Sequence, residues 1–182
     1  MPELTTGNAF GFLLTDTSRL FRQFFERTVA ENGLGLTPGE IRALGFVMRF
    51  RGSRQAALAE HMGVEPMTLS AYLDRLEGRG LIVRAVDPSD RRAKLIEPTE
   101  AAFDIMQSLD PLFDKIYAHV TEGLTKTEMT AIATALQKMR ANLTSDPQIA
   151  AKIDLLHPPT ASAGVVQAGG AARMAGVEDA AG

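Results

Sequence analysis

Two hydroxyls and two apolar side chains stand together in the stretch EPMTLS, in a pattern suited to reading DNA. Thr68 and Ser70 offer hydroxyls that can hydrogen-bond base edges or phosphates, and Pro66 and Met67 can contact the methyl group of thymine. The alternative is that the serine and the threonine serve only as helix-start residues. The pattern predicts base contact from this stretch and leaves that alternative open.

Basic residues form a second group in the stretch DPSDRRAK, which is typical of the tip of a β-hairpin. Arg91 and Arg92 are the tip residues, and Lys94 follows on the returning strand. Arginine that enters the narrow minor groove of DNA gains from the strong negative potential there. We therefore predict that these residues contact duplex DNA. The alternative is a solvated charged turn.

Three further polar residues lie where they could reach phosphate. Arg54 and Gln55 open a short predicted helix, whose free backbone N–H groups also favour phosphate. Arg75 lies two turns into the next helix, where its guanidinium could contact the DNA backbone or instead pair with Asp74 or Glu77. Both interpretations of Arg75 stay open.

The elements that carry these residues follow in the order helix, glycine turn, helix, strand, hairpin. RQAALAEHMG predicts a helix that ends at Gly63, where a left-handed glycine turns the chain. VEPMTLSAYLDRLEGRG predicts the second helix, which ends at Gly78 and Gly80, and LIVRAV and KLIEP form the hairpin. Apolar residues at helical spacing mark the inner faces: Leu58, Ala59, Met62, Leu69, Tyr72, Leu73 and Leu76. This order is typical of a winged helix–turn–helix, whose second helix enters the major groove of DNA.

The segment LDRLEGRGLIVRAVDPSDRRAKLIEPTE resembles the core signature of MarR-type transcriptional regulators, including the Asp-Arg-Arg wing. The resemblance extends more weakly from about residue 10 to residue 143. It implies a homodimer that binds pseudo-palindromic operator DNA, usually as a repressor. It also implies that a small aromatic or anionic effector binds between the two domains and releases the DNA. Within the wing, it implies that Asp90 pairs with Arg92 and holds the hairpin in shape, which would leave Arg91 and Lys94 to contact DNA.

Ala71 departs from the family pattern, because many members carry a basic residue at this place in the recognition helix. The family's Leu-Thr-x-x-Gly after the wing is also replaced, by residues 97–101. Ala71 favours an alternative function, a winged-helix protein-interaction module without specific DNA binding. Loss of the wing arginines would favour it too, but Arg91 and Arg92 are present. The residues therefore favour a sequence-specific, ligand-responsive transcriptional regulator.

Amphipathic helices flank the winged region on both sides. Residues 10 to about 31 predict a helix with more apolar residues than one buried stripe needs, which leaves a second surface for a partner chain. Residues 37–40 and 125–128 are capping boxes that open further helices, and Pro111 predicts a kink or break near Asp110. The flanking helices either pair with a second subunit, which we favour, or cover each other in a monomer.

The fold that follows is mainly α with a small β-hairpin wing, a winged helix–turn–helix core flanked by N- and C-terminal dimerisation helices. The predicted regions are an N-terminal helix belonging to the dimerisation region (1–36), the DNA-binding domain (37–98), C-terminal dimerisation helices (99–146), and a linker with a low-complexity tail (147–182). From residue 157 onward the composition shifts to Ala, Gly, Pro and Ser. Such a segment buries too little surface to offset its ordering entropy, which predicts disorder.

Charge is unevenly distributed along the 182 residues. The net charge is −3, but residues 42–94 contain ten Lys and Arg against six Asp and Glu, and the rest contains nine against sixteen. A basic module on an acidic scaffold concentrates the attraction for phosphate on one face. The distribution therefore supports a nucleic-acid partner in spite of the negative total.

Several classes of function lack their residues in this sequence. No cysteine is present, which excludes disulfides, thiolate zinc sites and cysteine-based redox sensing. His61, His119 and His157 stand far apart, so we expect no metal and no cofactor, and we expect His61 at the surface or its boundary. No phosphate-binding glycine loop, nucleophile elbow or His–carboxylate cluster is evident, so we expect no enzyme. No run of about 18 apolar residues and no export signal is evident, which predicts a cytoplasmic protein without a membrane partner.

The effector site has little signal in the sequence. Arg19 and Arg22 in the first helix are candidates to receive an anionic effector near Phe46 and Phe50. Surface ion pairs with nearby carboxylates are the alternative for both arginines.

Overall fold

The computed structural model describes residues 5–33, 35–151 and 153. The helices and strands of the described residues lie in one compact unit, which ends at residue 152. In chain order these elements are α1 (Thr6–Glu31), α2 (Pro38–Arg49), β1 (Ser53–Arg54), α3 (Gln55–Met62), α4 (Pro66–Gly78), β2 (Ile82–Asp87), β3 (Asp90–Pro98), α5 (Glu100–Ser108), α6 (Asp110–Val120), α7 (Lys126–Asn142) and α8 (Pro147–Ala150). The fold is mainly helical with a small antiparallel sheet, which confirms the predicted class. The predicted disordered tail, residues 157–182, lies outside the described residues.

Side-chain caps start two helices where the sequence predicts them. The hydroxyl of Thr37 accepts the backbone amide of Glu40 at 3.3 Å, and the Glu40 carboxylate accepts the amide of Thr37 at 2.8 Å. Thr125 and Glu128 form the same reciprocal pair at the start of α7, at 3.2 and 2.8 Å. Each box satisfies amides that the first turn of a helix leaves without a partner. Both predicted capping boxes are confirmed.

The helical segment after the wing breaks at its proline. α5 ends at Ser108 and α6 begins at Asp110, with Pro111 in the first turn of α6. Proline lacks the amide that would continue the hydrogen bonds of α5, and its fixed φ suits the first turn of a new helix. Leu109 stands between the two helices and is buried in the core. The predicted break is confirmed.

The helix–turn–helix packs on one apolar face. α3 ends at Gly63, whose φ of 65° and ψ of 42° lie in the left-handed region that glycine adopts without strain. Leu69 and Leu73 of α4 are buried at 1% and 0% exposure. At the start of α2, a Cβ on Gly39 would stand 2.4 Å from Cζ of the Tyr72 ring. The Tyr72 ring of α4 therefore lies so close to the start of α2 that a Cβ at position 39 would require this ring to move.

The wing is a three-stranded antiparallel sheet in the order β1–β3–β2. In its hairpin Val86 pairs with Lys94, and the register shifts between Val86 and Asp87, just before the tip. The third strand, β1, contains only Ser53 and Arg54 and pairs with β3. From the sequence only a break is expected before α3, because a two-residue strand has no periodicity of its own. β1 joins the wing directly to the start of the helix–turn–helix.

A short helix, α8, follows α7 in the region that the sequence assigns to a linker. Asp146 caps it by accepting the amides of Gln148 and Ile149 at 2.8 and 3.4 Å. The other oxygen of the same carboxylate lies 2.9 Å from Nε2 of His61 in α3, 85 positions earlier in the chain. The His61 side chain is only 4% exposed, and its ring lies 4.3 Å from that of Phe50. The residue as a whole is half-buried, which agrees with the expected boundary position, although a distant segment and an aromatic ring cover its side chain.

Candidate nucleic-acid interface

The first turn of α4 presents polar and apolar side chains to solvent. Pro66 begins the helix, Met67 is 81% exposed, Thr68 is exposed and Ser70 is half-buried. Glu65 is the N-cap residue, but its side chain accepts none of the amides of this turn. The start of α4 therefore offers backbone amides together with two hydroxyls and an apolar side chain. The structure brings all the predicted base-reading residues to one helix start.

The wing tip holds the predicted basic residues in exposed positions. Arg91, Arg92 and Lys94 are exposed, and in the described part of the chain their side chains form no ion pair. Oδ1 of Asp90 accepts the backbone amide of Arg92 at 3.0 Å. Asp90 thus shapes the tip through the backbone of Arg92, whereas the resemblance implies a pairing with its guanidinium. The guanidinium that does face Asp90 comes from another element.

Arg54, predicted to reach phosphate, is engaged with the wing. Its Nε and Nη2 donate to Oδ2 of Asp87 at 2.9 and 2.5 Å, and its Nη1 lies 4.0 Å from Oδ2 of Asp90. Oδ1 of Asp87 accepts the hydroxyl of Ser89 at 2.6 Å and its amide at 2.8 Å. The Ser89 hydroxyl, the Arg54 guanidinium and the Ser89 amide lower the pKa of Asp87 from 3.8 to about 2. Gln55, the other predicted phosphate contact of this helix start, is half-buried.

Arg75 also has a partner inside the chain. Its Nε donates to Oε1 of Glu40 in α2, and its guanidinium carbon lies 5.5 Å from the centroid of the Tyr72 ring. Burial raises the pKa of Glu40, but the hydrogen bonds from the Thr37 amide and from Arg75 outweigh burial, so this pKa lies below 4.5. Arg75 therefore joins the recognition helix to the start of α2. Phosphate contact by Arg75 stays a prediction.

Arg84 of β2 joins the wing to α4. Its Nη2 donates to Asp74 at 2.6 Å, and its Nη1 donates to Glu77. From the sequence, Asp74 and Glu77 are the alternative partners of Arg75. In the structure both carboxylates pair with Arg84 instead. Sequence reasoning missed Arg84, because its partners lie on a different element and only the fold brings them within reach.

A cleft of about 490 Å³ lies between α1, α2 and α6. Two arginines line it, the predicted Arg22 and also Arg42, which sequence reasoning missed. The aromatic lining residues are Phe21, Phe25, Phe113 and Tyr117. Arg19, the other predicted effector residue, forms an ion pair at 3.2 Å within its own helix. Phe46 and Phe50 lie elsewhere, with ring centroids 5.9 Å apart and Phe50 in the core.

Known proteins share both the sequence pattern and the fold. A sequence profile of the MarR family matches residues 34–93. A MarR-family transcriptional regulator from Rhodococcus sp. RHA1 is 26% identical, over 75% of this chain and 96% of that chain, with a TM-score of 0.63. Over the winged helix–turn–helix, this chain is therefore similar to the MarR family. A MarR-family transcriptional regulator from Silicibacter pomeroyi is 25% identical, over 81% and 98% of the two chains, with a TM-score of 0.66.

A third solved structure is that of CouR from Rhodococcus jostii RHA1 bound to p-coumaroyl-CoA. It is 28% identical to this chain, over 75% of this chain and 95% of that chain, with a TM-score of 0.59. The MarR family and these neighbours together indicate a transcriptional regulator.

Outside its MarR-type winged domain, the chain exposes large apolar side chains on the flanking helices. Those of α1 range from 36% exposure at Leu14 to 68% at Leu13, and also include Phe10, Phe12, Leu20 and Phe21. Those from α6 onward are Tyr117, Val120, Leu124, Ile132, Leu136 and Leu143. Clustered apolar surface of this kind is typical of a protein interface, because its burial removes it from water.

Residues 5–33, 35–151 and 153 contain neither a membrane-spanning helix nor a candidate metal site. Within these ranges the helices are too short or too polar to span a bilayer. The same ranges contain no cluster of three or more His, Asp or Glu side chains that could ligate a metal ion.

Proposed function

We propose that this chain is a sequence-specific transcriptional repressor, which binds pseudo-palindromic duplex DNA as a homodimer and releases it when a small anionic aromatic effector binds. The observation that carries the proposal is the contrast among the basic residues of the winged domain. Arg54, Arg75 and Arg84 have partners within the chain, whereas Arg91 and Arg92 have no ion pair among the described residues. Unpaired arginines on a hairpin tip, together with an exposed helix start, suit contact with phosphates and base edges.

In this proposal α4 lies in the major groove with its first turn against the base edges. The hydroxyls of Thr68 and Ser70 hydrogen-bond bases or phosphates, and the exposed Met67 contacts a thymine methyl beside Pro66. Gln55 stands at the start of α3, where the helix N-terminus favours a phosphate. Sequence specificity then comes from α4.

The wing enters the adjacent minor groove. Arg91 and Arg92 meet the negative potential there, and Lys94 contacts the DNA backbone one residue pair behind the tip. Arg75 donates from one guanidinium nitrogen to Glu40, whose side chain is 4% exposed, so leaving Glu40 to reach phosphate would strand this carboxylate. We therefore expect Arg75 to contribute less to affinity than the wing residues.

The dimer forms through the apolar side chains of α1 and of α6 to α7. A symmetric dimer places two copies of α4 on the same face of the duplex, about one helical turn or ~10 bp apart. Pseudo-palindromic operators follow from this symmetry, because each half-site meets the same residues.

The effector binds in the cleft between α1, α2 and α6. Arg22 and Arg42 provide two guanidiniums for an anionic group, and Phe25 and Phe113 provide apolar rings for an aromatic one. Support also comes from CouR, which is bound to p-coumaroyl-CoA. α2 connects the cleft to the recognition helix, because Arg42 lines the cleft and Glu40, two residues earlier, holds Arg75.

The first experiment measures binding of the purified protein to the intergenic DNA upstream of its own gene. Labelled duplex is titrated with protein at several salt concentrations, against unrelated competitor DNA, with and without salicylate. Saturable binding that outcompetes unrelated DNA supports the regulator, and a promoter–reporter assay then separates repression from activation. Release by salicylate that is lost in Arg22→Ala and Arg42→Ala supports the effector site. Weak binding that is equal on every duplex favours the protein-interaction module instead.

A further inference from the structure

Arg54 stands where the wing meets the helix–turn–helix. It ends β1 and is the N-cap residue of α3, but its side chain makes no cap hydrogen bond to α3. Its guanidinium instead reaches the end of β2, where two of its nitrogens donate to Oδ2 of Asp87. The side chain of Arg54 therefore binds the wing, although its backbone lies at the N-cap of α3.

Asp87 organises the turn at the wing tip. Its side chain is 8% exposed, and its two oxygens accept four hydrogen bonds, two from Arg54 and two from Ser89. The bonds to Ser89 close the turn locally, and the bonds to Arg54 fix the turn to another element. Among the described residues Arg54 is the only ion-pair partner of Asp87.

The same guanidinium also faces the second carboxylate of the tip. Asp87 and Asp90 are paired across the hairpin, and Nη1 of Arg54 lies 4.0 Å from Asp90. Like charges opposite each other destabilise a β-hairpin. One arginine thus offsets the repulsion of both carboxylates immediately before Arg91 and Arg92.

We propose that Arg54 and Asp87 form a brace that positions the wing for DNA, so that both residues support DNA binding without contacting DNA themselves. Arg54 is then a positioning residue that acts through the wing arginines, not a phosphate contact. The role in DNA binding rests on the proposed function, but the brace itself can be measured in the free protein.

The substitution Asp87→Asn distinguishes phosphate contact by Arg54 from bracing of the wing, because the two roles predict opposite changes in DNA affinity. Asparagine keeps the size of the side chain but removes a negative charge close to the DNA-binding surface. If Arg54 contacts phosphate, losing this charge releases Arg54 and reduces repulsion, so the affinity for DNA stays the same or rises. If the brace positions the wing, the affinity falls although the electrostatic attraction has increased.

The experiment compares operator affinity for the wild type, Asp87→Asn, Arg54→Lys and the charge-matched control Asp104→Asn, which removes an exposed carboxylate of α5. Lysine keeps the charge of Arg54 but lacks its fork of donors. We expect about tenfold weaker binding for Asp87→Asn and Arg54→Lys, the scale of one lost wing contact, and control binding within about twofold of wild type. Urea midpoints identify any variant that is globally unfolded. Wild-type or tighter binding by Asp87→Asn overturns the brace.

Two further measurements test the brace. The first compares operator affinities in a variant background, and the second uses the free protein and needs no DNA. In the Arg91→Ala/Arg92→Ala background, Arg54→Lys should cause no further loss of affinity, and an additive loss would assign Arg54 to phosphate. In the free protein, the amides of Ser89 and Arg92 should exchange severalfold faster with solvent in Asp87→Asn and in Arg54→Lys than in wild type. Unchanged exchange refutes the brace. Lack of operator preference in the wild type refutes the proposed function alone.

Discussion

Replacing a wing arginine should weaken operator binding without weakening the fold. Arg91 and Arg92 are exposed and form no ion pair among the described residues, so alanine at either position removes no ion pair from the free protein. A charge-assisted contact to DNA is worth roughly 1–3 kcal/mol, which corresponds to a loss of about 5- to 150-fold in affinity for each wing. A homodimer carries two wings, so the loss in free energy per dimer doubles.

Salt dependence makes this prediction specific to contact with the charged DNA backbone. Each phosphate contact contributes about −0.9 to the slope of log K against log salt concentration. If one contact is lost from each wing, the slope changes by about 1.8. The ratio of wild-type to variant affinity should then fall about 12-fold between 50 and 200 mM salt. Fluorescence anisotropy of a labelled operator, measured across this range for Arg91→Ala and for Arg92→Ala, gives both quantities.

The matched control is Lys115→Ala, which removes an exposed positive charge on α6, outside the winged domain. It should leave the slope unchanged. Wild-type affinity in the wing variants would refute contact of Arg91 and Arg92 with DNA. Weaker binding with an unchanged salt slope would refute contact with the charged backbone. A fall in their urea midpoints would also count against the prediction, because the wing arginines would then have a structural role.

Three further predictions concern packing, pH and assembly. Gly39→Ala should lower the free energy of unfolding in urea by about 1–3 kcal/mol, because its Cβ would meet the Tyr72 ring. In the control Gly45→Ala, in the same helix, the Cβ meets nothing within 4 Å, and the free energy of unfolding should rise by up to about 1 kcal/mol. The hydrogen bonds to Asp87 hold its pKa at about 2, below 3.8, so its ionised carboxylate should stabilise the fold fully above about pH 4 and lose this effect as the pH falls through about 2. In acid titrations, Asp87→Asn should therefore lose less stability than wild type over this range. Identical acid profiles of the two proteins would contradict the prediction. Phe12→Asp, at a side chain 60% exposed on α1, should convert a dimer to a monomer in sedimentation experiments, and an unchanged mass would remove α1 from the interface.

Features that depend on neighbouring residues could be predicted from the sequence. The two capping boxes, the left-handed turn at Gly63 and the break at Pro111 each depend on residues within one or two helical turns. The inner face of α4 followed from the spacing of its leucines, because helical periodicity and burial are coupled. The exposed start of α4 followed in turn, since it is the opposite face of the same helix.

Features that depend on distant residues could not be predicted in this way. β1 exists only because β3, about forty residues later, provides its hydrogen-bonding partner. The His61 side chain is bonded by a segment 85 positions away, and the partner of Arg75 is 35 positions away on α2. The sequence shows that Arg54 and Arg75 are basic and near the predicted interface, but not which carboxylates the fold brings to them. Residue type therefore predicted where exposed basic and polar side chains lie better than it predicted the partner of each arginine.

The internal ion pairs limit how much of the basic segment can act on DNA. Arg54 joins the wing to α3, Arg75 joins α4 to α2, and Arg84 joins the wing to α4. An arginine paired with a carboxylate contributes little net charge, so the ten basic residues between positions 42 and 94 overstate the attraction for phosphate. The salt slope should accordingly reflect basic residues without an internal ion pair, such as those of the wing tip, and not the full count. We expect discrimination between operators to come from the first turn of α4, whose hydroxyls and exposed Met67 are the proposed contacts to the bases.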